Sequence, residues 1–228
     1  MQPKIRFVVA TRRLADDFHS HAATGRSLKL YEFLPFLEVS LAAENRLGLP
    51  MVYNKAIEAA RDDPAILVFI HDDVHLCSFY WPNEIYAALA NFHLVGVAGS
   101  RIRDPMQPTW VPPPRHDSMP HEYLSGIIAH GHGFPPSSIQ GFGPPCHEVR
   151  LLDGVVLIAY SEILIRSDIR FDERFEFHHY DMDLCRQLEK KGLKMGTWPI
   201  SLVHESHGNF DSPEWRASCE RYFAKWGS

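Results

Sequence analysis

The stretch Ile66-Leu-Val-Phe-Ile70, followed at once by His71-Asp72-Asp73-Val74, decides the fold. Its five apolar residues, most of them favoured in β-strands, predict a buried parallel strand whose C-terminal tip carries a pair of acids. Because carboxylates are costly to bury unpaired, such a pair usually faces a cleft and holds a cation or hydrogen bonds. Ligands bind beyond the strand ends of open α/β sheets, so this stretch predicts a metal-assisted site for a phosphorylated ligand.

The segments before this strand complete a strand-helix-strand pattern. Residues 5–10 and 36–42 predict two earlier strands, separated by a polar loop over residues 11–27. After them, Gly48-Leu-Pro50 opens a helix whose apolar residues recur at spacings of three, four and seven. This order of elements favours a parallel sheet with right-handed crossovers.

The rest of the chain continues the alternation of strands and helices, which predicts an α/β fold. We expect a single domain over residues 1–228, with a mostly parallel, Rossmann-like central sheet and helices on both faces. The further predicted elements are a helix over 83–91, strands over 94–98 and 151–159, helices over 161–165 and 180–191, a strand over 194–197 and a C-terminal helix from Pro213.

Residues 101–150 interrupt this alternation. They hold ten of the 17 prolines and five of the 14 glycines of the chain. Such a composition predicts little regular structure. Because long irregular loops in compact domains are usually functional, we expect a Pro/Gly/His-rich active-site loop here.

Bulk composition excludes several classes of protein. The 45% hydrophobic and 22% charged content is typical of a soluble globular chain, and the formal charge of −5 argues against a nucleic-acid partner. No apolar run approaches the roughly 18–20 residues that span a bilayer. The four cysteines form no C-x-x-C pair, which favours a reducing compartment, and we expect a cytoplasmic protein.

A further acid, Asp181, lies in the first turn of the predicted helix over 180–191. It stands three, four and seven residues before Leu184, Cys185 and Leu188, and so shares their inward face. An inward carboxylate beside a cleft suits a general base. Ordinary capping of the helix N-terminus requires an acid at the same place and is the alternative.

The third candidate segment is Val203-His-Glu-Ser-His207, which follows the last predicted strand. A histidine there is either a metal or phosphate ligand or a surface residue of a loop. The acidic pair is equally compatible with a solvated turn in which Asp73 caps the next element. Adjacent His-Asp also occurs in metal-dependent phosphohydrolases, but there on a helix, whereas residues 66–70 predict a strand.

Together these segments resemble family 2 glycosyltransferases of the GT-A fold. The resemblance covers roughly residues 36–208, and its motifs stand in the order that the family uses. The histidine before the acids is most similar to the streptomycin-biosynthesis-like subset. The motifs are Leu49-Pro-Met-Val-Tyr-Asn-Lys-Ala-Ile-Glu-Ala-Ala60, Leu67-Val-Phe-Ile-His-Asp-Asp-Val74, Asp153-Gly-Val-Val-Leu-Ile-Ala159, Phe171-Asp-Glu-Arg-Phe175, Tyr180-Asp-Met-Asp-Leu-Cys-Arg-Gln-Leu-Glu-Lys-Lys-Gly192 and Val203-His204.

The resemblance implies a role for each motif. The metal and diphosphate motif falls on His71-Asp72-Asp73, with Asp73 as the principal ligand of Mn²⁺ or Mg²⁺ and the histidine and Asp72 beside it. His204 becomes a further metal or phosphate contact, and Asp153-Gly154 lines the donor-sugar and acceptor pocket. The acid-Asp pair of the family falls on Tyr180-Asp181, which makes Asp181 the catalytic base.

The implied reaction is an inverting transfer of a sugar from a nucleotide-diphosphate donor to a hydroxyl of a carbohydrate, lipid-linked or protein acceptor. Asp181 takes the proton of that hydroxyl, and the cation stabilises the departing nucleoside diphosphate. The segment 101–150 closes over the acceptor and limits hydrolysis of the donor. With no transmembrane segment expected, a lipid-linked acceptor would be met at the membrane surface, with the protein peripheral to it.

Two departures from the family pattern leave questions open. His71 stands where the metal motif has an aspartate, and residues 8–26 lack the pattern by which relatives bind the nucleotide base. Strict metal dependence and donor identity are therefore open. Two other classes compete: an inactive nucleotide- or carbohydrate-binding module of the same fold, and a metal-dependent phosphohydrolase that releases inorganic phosphate without a sugar acceptor.

Overall fold

A computed structural model describes residues 3–112, 122–206, 208 and 210–227 of the chain. In these ranges no helix is both long and apolar enough to cross a membrane. The helices are α1 (Ala15–His21), α2 (Ala23–Lys29), α3 (Leu49–Ala59), α4 (Trp81–Leu89), α5 (Ser161–Arg166), α6 (Tyr180–Lys190) and α7 (Pro213–Trp226). The strands are β1 (Ile5–Ala10), β2 (Leu37–Ala42), β3 (Ile66–Ile70), β4 (Val74–Leu76), β5 (Leu94–Gly96), β6 (Ala98–Ser100), β7 (Leu124–His130), β8 (Ser138–Gly143), β9 (Glu148–Val149), β10 (Leu151–Leu152), β11 (Val156–Tyr160), β12 (Met195–Thr197) and β13 (Leu202–His204).

The larger sheet confirms the predicted α/β class. Its strand order is β2-β1-β3-β11-β5-β12-β9, and β1 pairs in parallel with both β2 and β3. Five of these seven strands run in one direction, whereas β11 and β9 are antiparallel to their neighbours. All five residues of β3 are buried, as a central strand covered on both faces requires.

Helices cover both faces of this sheet. Phe7 pairs in register with Val68, so the next residue, Phe69, points to the opposite face. The Phe7 ring packs edge-on against Trp81 of α4, with 5.2 Å between centroids. The Phe69 ring packs against Tyr53 of α3, with 4.9 Å between centroids. The helices α3 and α4 therefore lie on opposite faces, and their aromatic residues build the two layers of the core.

The chain passes between the larger sheet and a second one several times. The second sheet has the order β10-β6-β7-β13-β4, with β8 added on β7. The strand predicted over 94–98 divides into β5 and β6, and the strand predicted over 151–159 divides into β10 and β11. In both cases one of the two strands belongs to the larger sheet and the other to the second sheet. A continuous apolar run in the sequence does not reveal such a division. The passage from β10 to β11 takes place at Asp153-Gly154.

The prediction that residues 101–150 hold little regular structure is wrong where the structure describes them. The strands β7, β8 and β9 lie in this range, although residues 113–121 are outside the described part of the chain. The composition misled the prediction because the described prolines of this range lie outside its strands, and β8 contains glycines at the margin of the sheet, where they are tolerated. Gly126 has φ +104°, and a Cβ there would collide with the Val97 carbonyl, so this strand needs a glycine.

The polar loop predicted over residues 11–27 is also wrong, because α1 and most of α2 occupy it. The buried residues of α2 include Thr24 and Ser27, whose hydroxyls bond to the backbone rather than to water. Thr24 donates to the His71 carbonyl at 2.6 Å. A helix whose inward face is small and polar lacks the apolar period on which sequence prediction depends.

Helix α7 is fixed to α6 through one buried carboxylate, Asp183. Its Oδ1 accepts a hydrogen bond from Trp226 Nε1 at 2.7 Å and lies 2.6 Å from Lys225 Nζ. Its Oδ2 accepts a bond from Gln187 at 2.8 Å. A carboxylate with zero exposure is tolerated here because three donors surround it.

Candidate active site

A cleft of about 600 Å³ opens beyond the C-terminal ends of β1 and β3, where the two sheets meet. The segment 108–111 and parts of β7 and β8 complete its wall, so residues of the range 101–150 do line it. His207 lies outside the described residues. All seven residues singled out in the sequence line this cleft: His71, Asp72, Asp73, Asp153, Gly154, Asp181 and His204.

Pairing of β4 with β13 brings His204 to the tip of β3. These strands are antiparallel, with His204 opposite Val74, the residue that follows Asp73. The Glu205 amide donates to the Asp73 carbonyl at 2.9 Å. As a result, His204 Nε2 lies 3.2 Å from Asp73 Oδ1 although 131 positions separate the two residues.

Three of these residues form a group with the chemistry of a metal centre. One ligand atom each of His71, Asp73 and His204 lies within 4.8 Å of the other two. Asp73 Oδ1 is buried and accepts no well-directed hydrogen bond from the described residues. A cation would satisfy a buried carboxylate oxygen that lacks a hydrogen-bond donor. Two imidazoles and one carboxylate are a suitable set of ligands for a divalent metal. The group fits a divalent cation.

The charge state of this group also suits a cation. Burial alone would raise the pKa of Asp73, but its contact with the His204 imidazole lowers that pKa to about 2. Burial and the neighbouring His204 lower the pKa of His71. An ionised carboxylate beside a neutral imidazole offers lone pairs to a metal.

The second acid of the motif, Asp72, has a different environment. Its Oδ2 accepts a hydrogen bond from Thr11 Oγ1 at 2.6 Å, and its backbone carbonyl accepts one from the Thr24 amide at 3.1 Å. Asp72 is not part of the three-residue group, and it ties the tip of β3 to the tip of β1. Sequence reasoning missed Thr11, whose position directly after β1 was the available signal.

Tyr180, the first residue of α6, connects the metal group to the crossing at Gly154. Its hydroxyl donates to the Gly154 carbonyl at 2.9 Å and lies 2.9 Å from His71 Nε2. The sequence assigned Tyr180 no role of its own, and its position next to Asp181 was the only indication. Gly154 must be a glycine, because a Cβ there would lie 2.6 Å from this hydroxyl and 3.0 Å from Asp181 Oδ2.

Asp181 lies in the first turn of α6, as predicted, and its Oδ1 accepts a hydrogen bond from the Met182 amide at 2.8 Å. Burial, together with the negative charge of Asp153, raises the pKa of Asp181 to about 7. The Asp153 carboxylate accepts a bond from the Val155 amide at 2.8 Å, which orders the turn before β11. A half-buried carboxyl that titrates near neutral pH has the property required of a general base.

A second residue that sequence reasoning missed is His179, which precedes α6. It has φ 64° and is 5% exposed. Its Nε2 donates to the Pro108 carbonyl at 3.1 Å, and its Nδ1 lies 3.0 Å from Ser218 Oγ on α7. Burial lowers its pKa to about 4. His179 therefore joins the cleft wall at residue 108 to the start of the helix that carries Asp181.

Comparison of the sequence with known protein families identifies one matching family. The sequence pattern of a family described as glycosyltransferase-like matches residues 40–222, which is most of the chain. No curated protein matches the chain in sequence.

Several solved structures share the fold at low sequence identity. GalNAc-T7, solved with UDP, GalNAc and Mn²⁺, has a TM-score of 0.55 and 10% identity, covering 99% of this chain and 48% of its own. TarS of S. aureus has a TM-score of 0.52 and 12% identity, covering 97% and 39%. The catalytic domain of Drosophila β1,4-galactosyltransferase 7, in complex with xylobiose, has a TM-score of 0.51 and 10% identity, covering 96% and 79%. This chain thus spans about half the length of GalNAc-T7, and these similarities confirm the predicted GT-A fold.

Proposed function

The chain belongs to this glycosyltransferase-like family, and we propose that it is an inverting, metal-assisted enzyme that moves a sugar from a nucleotide-diphosphate donor to an acceptor hydroxyl. One observation carries the proposal: a group fit for a divalent cation, His71, Asp73 and His204, shares a cleft with Asp181, a half-buried carboxyl whose pKa is about 7. The finer assignment to the streptomycin-biosynthesis-like subset remains a prediction.

On the donor side, His71, Asp73 and His204 would hold Mn²⁺ or Mg²⁺. A bound cation would supply Lewis-acid stabilisation of the negative charge that develops on the leaving nucleoside diphosphate. Asp153 and Gly154 lie in the same cleft, and we assign them to the donor sugar. We keep Asp72 on the donor side, where its bond to Thr11 holds the tips of β1 and β3 together.

On the acceptor side, we assign the proton transfer to Asp181. Its carboxylate removes the proton of the acceptor hydroxyl as that oxygen attacks the anomeric carbon, while the bond from this carbon to the diphosphate oxygen breaks. One displacement from the opposite face inverts the anomeric configuration. A carboxyl with pKa about 7 is a stronger base than an ordinary aspartate and is still largely ionised slightly above neutral pH.

Aromatic side chains suit this cleft to exclude water and to contact a sugar ring. Trp110 packs edge-on against Phe142, with 4.8 Å between centroids, and Phe177 stacks on His71 at 6.0 Å. All of them line the cleft. We propose that the described part of residues 101–150 shields the donor from hydrolysis. A carbohydrate, lipid-linked or protein acceptor is compatible with this arrangement.

The direct test is release of nucleoside diphosphate from a panel of UDP-, GDP- and dTDP-sugars, with Mn²⁺ present and a set of sugar acceptors. We expect one donor to be consumed, more slowly without an acceptor, and we expect EDTA to stop the reaction. Release of inorganic phosphate from simple esters, with no nucleotide sugar consumed, would instead establish a phosphohydrolase. Failure to turn over any donor would favour a binding module of the same fold.

A further inference from the structure

The hydroxyl of Tyr180 lies near the buried hydroxyl of Tyr53 and has two further polar neighbours at equal distance. The Gly154 carbonyl and His71 Nε2 each lie 2.9 Å from it. A carbonyl oxygen only accepts, and a phenol has one proton. Both bonds form together only when the hydroxyl donates to Gly154 and accepts from an N–H at His71 Nε2.

This arrangement selects one state of the His71 ring. A neutral imidazole carries a single N–H, so a proton on Nε2 leaves the lone pair on Nδ1. We infer that Tyr180 is a positioning residue that fixes His71 in the Nε2–H tautomer and so reserves Nδ1 for a divalent cation. The role of the cation rests on the proposed function, whereas the tautomer follows from the hydrogen bonds alone.

The surroundings keep this pair in place. Tyr180 is 3% exposed and lies among Tyr53 and Phe171, at 5.9 and 6.0 Å between ring centroids. The His71 ring also stacks against the ring of Phe177. Burial raises the pKa of Tyr180 well above its usual value, so the phenol keeps its proton throughout the physiological range. Metal-bound histidines generally donate their second N–H to a fixed acceptor in this manner.

The same hydroxyl also connects the elements that carry the candidate metal ligand His71 and the candidate base Asp181. Tyr180 precedes Asp181 on α6, Gly154 precedes β11, and His71 follows β3. The residue next to the candidate base therefore contacts a candidate metal ligand and the turn of the donor pocket through one hydroxyl. Loss of the hydroxyl would release the His71 ring and leave the Gly154 carbonyl without this donor.

The first experiment uses the unmodified, metal-free protein. Long-range ¹H–¹⁵N NMR correlations of histidine rings distinguish the two tautomers, and the spectrum of the His71→Gln variant identifies the His71 signals by their absence. We expect His71 in the Nε2–H form, and we expect Tyr180→Phe to give a mixture of tautomers. An Nδ1–H ring in the parent protein would overturn the inference, and this measurement needs neither metal nor activity.

The second experiment measures Mn²⁺ affinity from the electron paramagnetic resonance signal of the free ion. Tyr180→Phe is expected to weaken binding by about 10–100-fold, as loss of a partner to a metal-bound histidine does. Tyr31→Phe is the matched control, because it also removes a hydroxyl bonded to a backbone carbonyl, that of Ser78. Circular dichroism verifies that both variants are folded.

The outcomes separate this inference from the proposed function. Equal Mn²⁺ affinity of Tyr180→Phe and the parent would refute the positioning role while leaving the metal site intact. A parent protein that binds no Mn²⁺ would refute the metal site instead, and the tautomer of His71 would then decide the inference about Tyr180 by itself.

Discussion

Two aspartates of one cleft have opposite electrostatic environments. Contact with the His204 imidazole lowers the pKa of Asp73 to about 2, while burial and Asp153 raise that of Asp181 to about 7. Environments that push the pKa values of two acids apart are a common sign of separate roles. At the residue scale, Asp73 suits a permanently ionised ligand and Asp181 suits a group that exchanges a proton.

The first prediction concerns Asp181→Asn. An amide cannot accept the acceptor's proton, so we expect turnover to fall by about 10²–10⁴-fold, the usual contribution of a general base. Binding of the nucleoside diphosphate should stay unchanged, as calorimetry would report. Asp62→Asn, at an exposed position in the turn after α3, is the control. Turnover of Asp181→Asn at the parent rate would remove this residue from the mechanism.

The pH dependence of turnover gives a second prediction. A base must be ionised, so activity should rise with pH and reach half its maximum near the Asp181 pKa of about 7. Rates of donor consumption between pH 5.5 and 8.5, at saturating donor and Mn²⁺, provide the measurement. A profile that stays flat down to pH 5.5 would show that no group with this pKa acts as the base.

The same pKa predicts a change in stability. The pKa of Asp181 is raised above its usual 3.8, so the unfolded chain loses this proton first and the folded state loses stability as pH rises from about 4 to 7. The loss amounts to at most about 4 kcal/mol. Asn does not titrate, so the free energy of unfolding of Asp181→Asn, relative to the parent, should increase between pH 5 and pH 8. Urea unfolding at both pH values tests this, and an unchanged difference would contradict it.

At the scale of elements, two of the elements that carry the site, β3 and α6, have strong sequence signals. β3, with five buried apolar residues, and α6, with an apolar face that ends at Gly192, were predicted within one residue. By contrast, α2 buries threonine and serine, and β8 is a glycine-containing marginal strand. Propensity and periodicity do not identify elements whose stability comes from backbone bonds to distant residues.

The contact between α6 and α7 gives a prediction at this scale. Trp226→Phe keeps most of the ring but removes the N–H that bonds to the buried Asp183 carboxylate. A hydrogen bond to a charged group contributes about 1.5–3 kcal/mol, so the free energy of unfolding should fall by that amount. Chemical denaturation measures the change, and Phe223→Leu on the half-buried side of α7 is a control for lost packing. An unchanged stability would mean that the bond does not hold α7.

At the scale of the whole molecule, the site depends on contacts that no local pattern encodes. His204 reaches Asp73 because β13 pairs with β4 in the second sheet, and Tyr180 reaches His71 across the crossing at Gly154. All seven residues that the motifs singled out line one cleft. The motifs could not show that Asp72 accepts a hydrogen bond from Thr11 or that His179 donates one to the Pro108 carbonyl, because both contacts depend on tertiary packing.

The division of the chain between two sheets also explains where the cleft lies. Strands β3 and β4 are nearly consecutive, yet they belong to different sheets, and the acidic motif occupies the gap between them. Another passage between the sheets, at Asp153-Gly154, lines the same cleft. The predicted parallel sheet located the strand tip, but it did not predict the second sheet, whose strands β7 and β8 complete the wall.

The measurement that tests the central claim most directly is calorimetric titration of UDP and GDP into the protein, first with Mn²⁺ and then with EDTA. We predict that one nucleotide binds only with the metal present, and that Asp73→Ala abolishes this binding because the cation loses its only carboxylate in the group. Binding that persists in EDTA and in Asp73→Ala would contradict a metal-assisted donor site. Absence of binding by either nucleotide would contradict the assignment of this cleft to a UDP- or GDP-sugar.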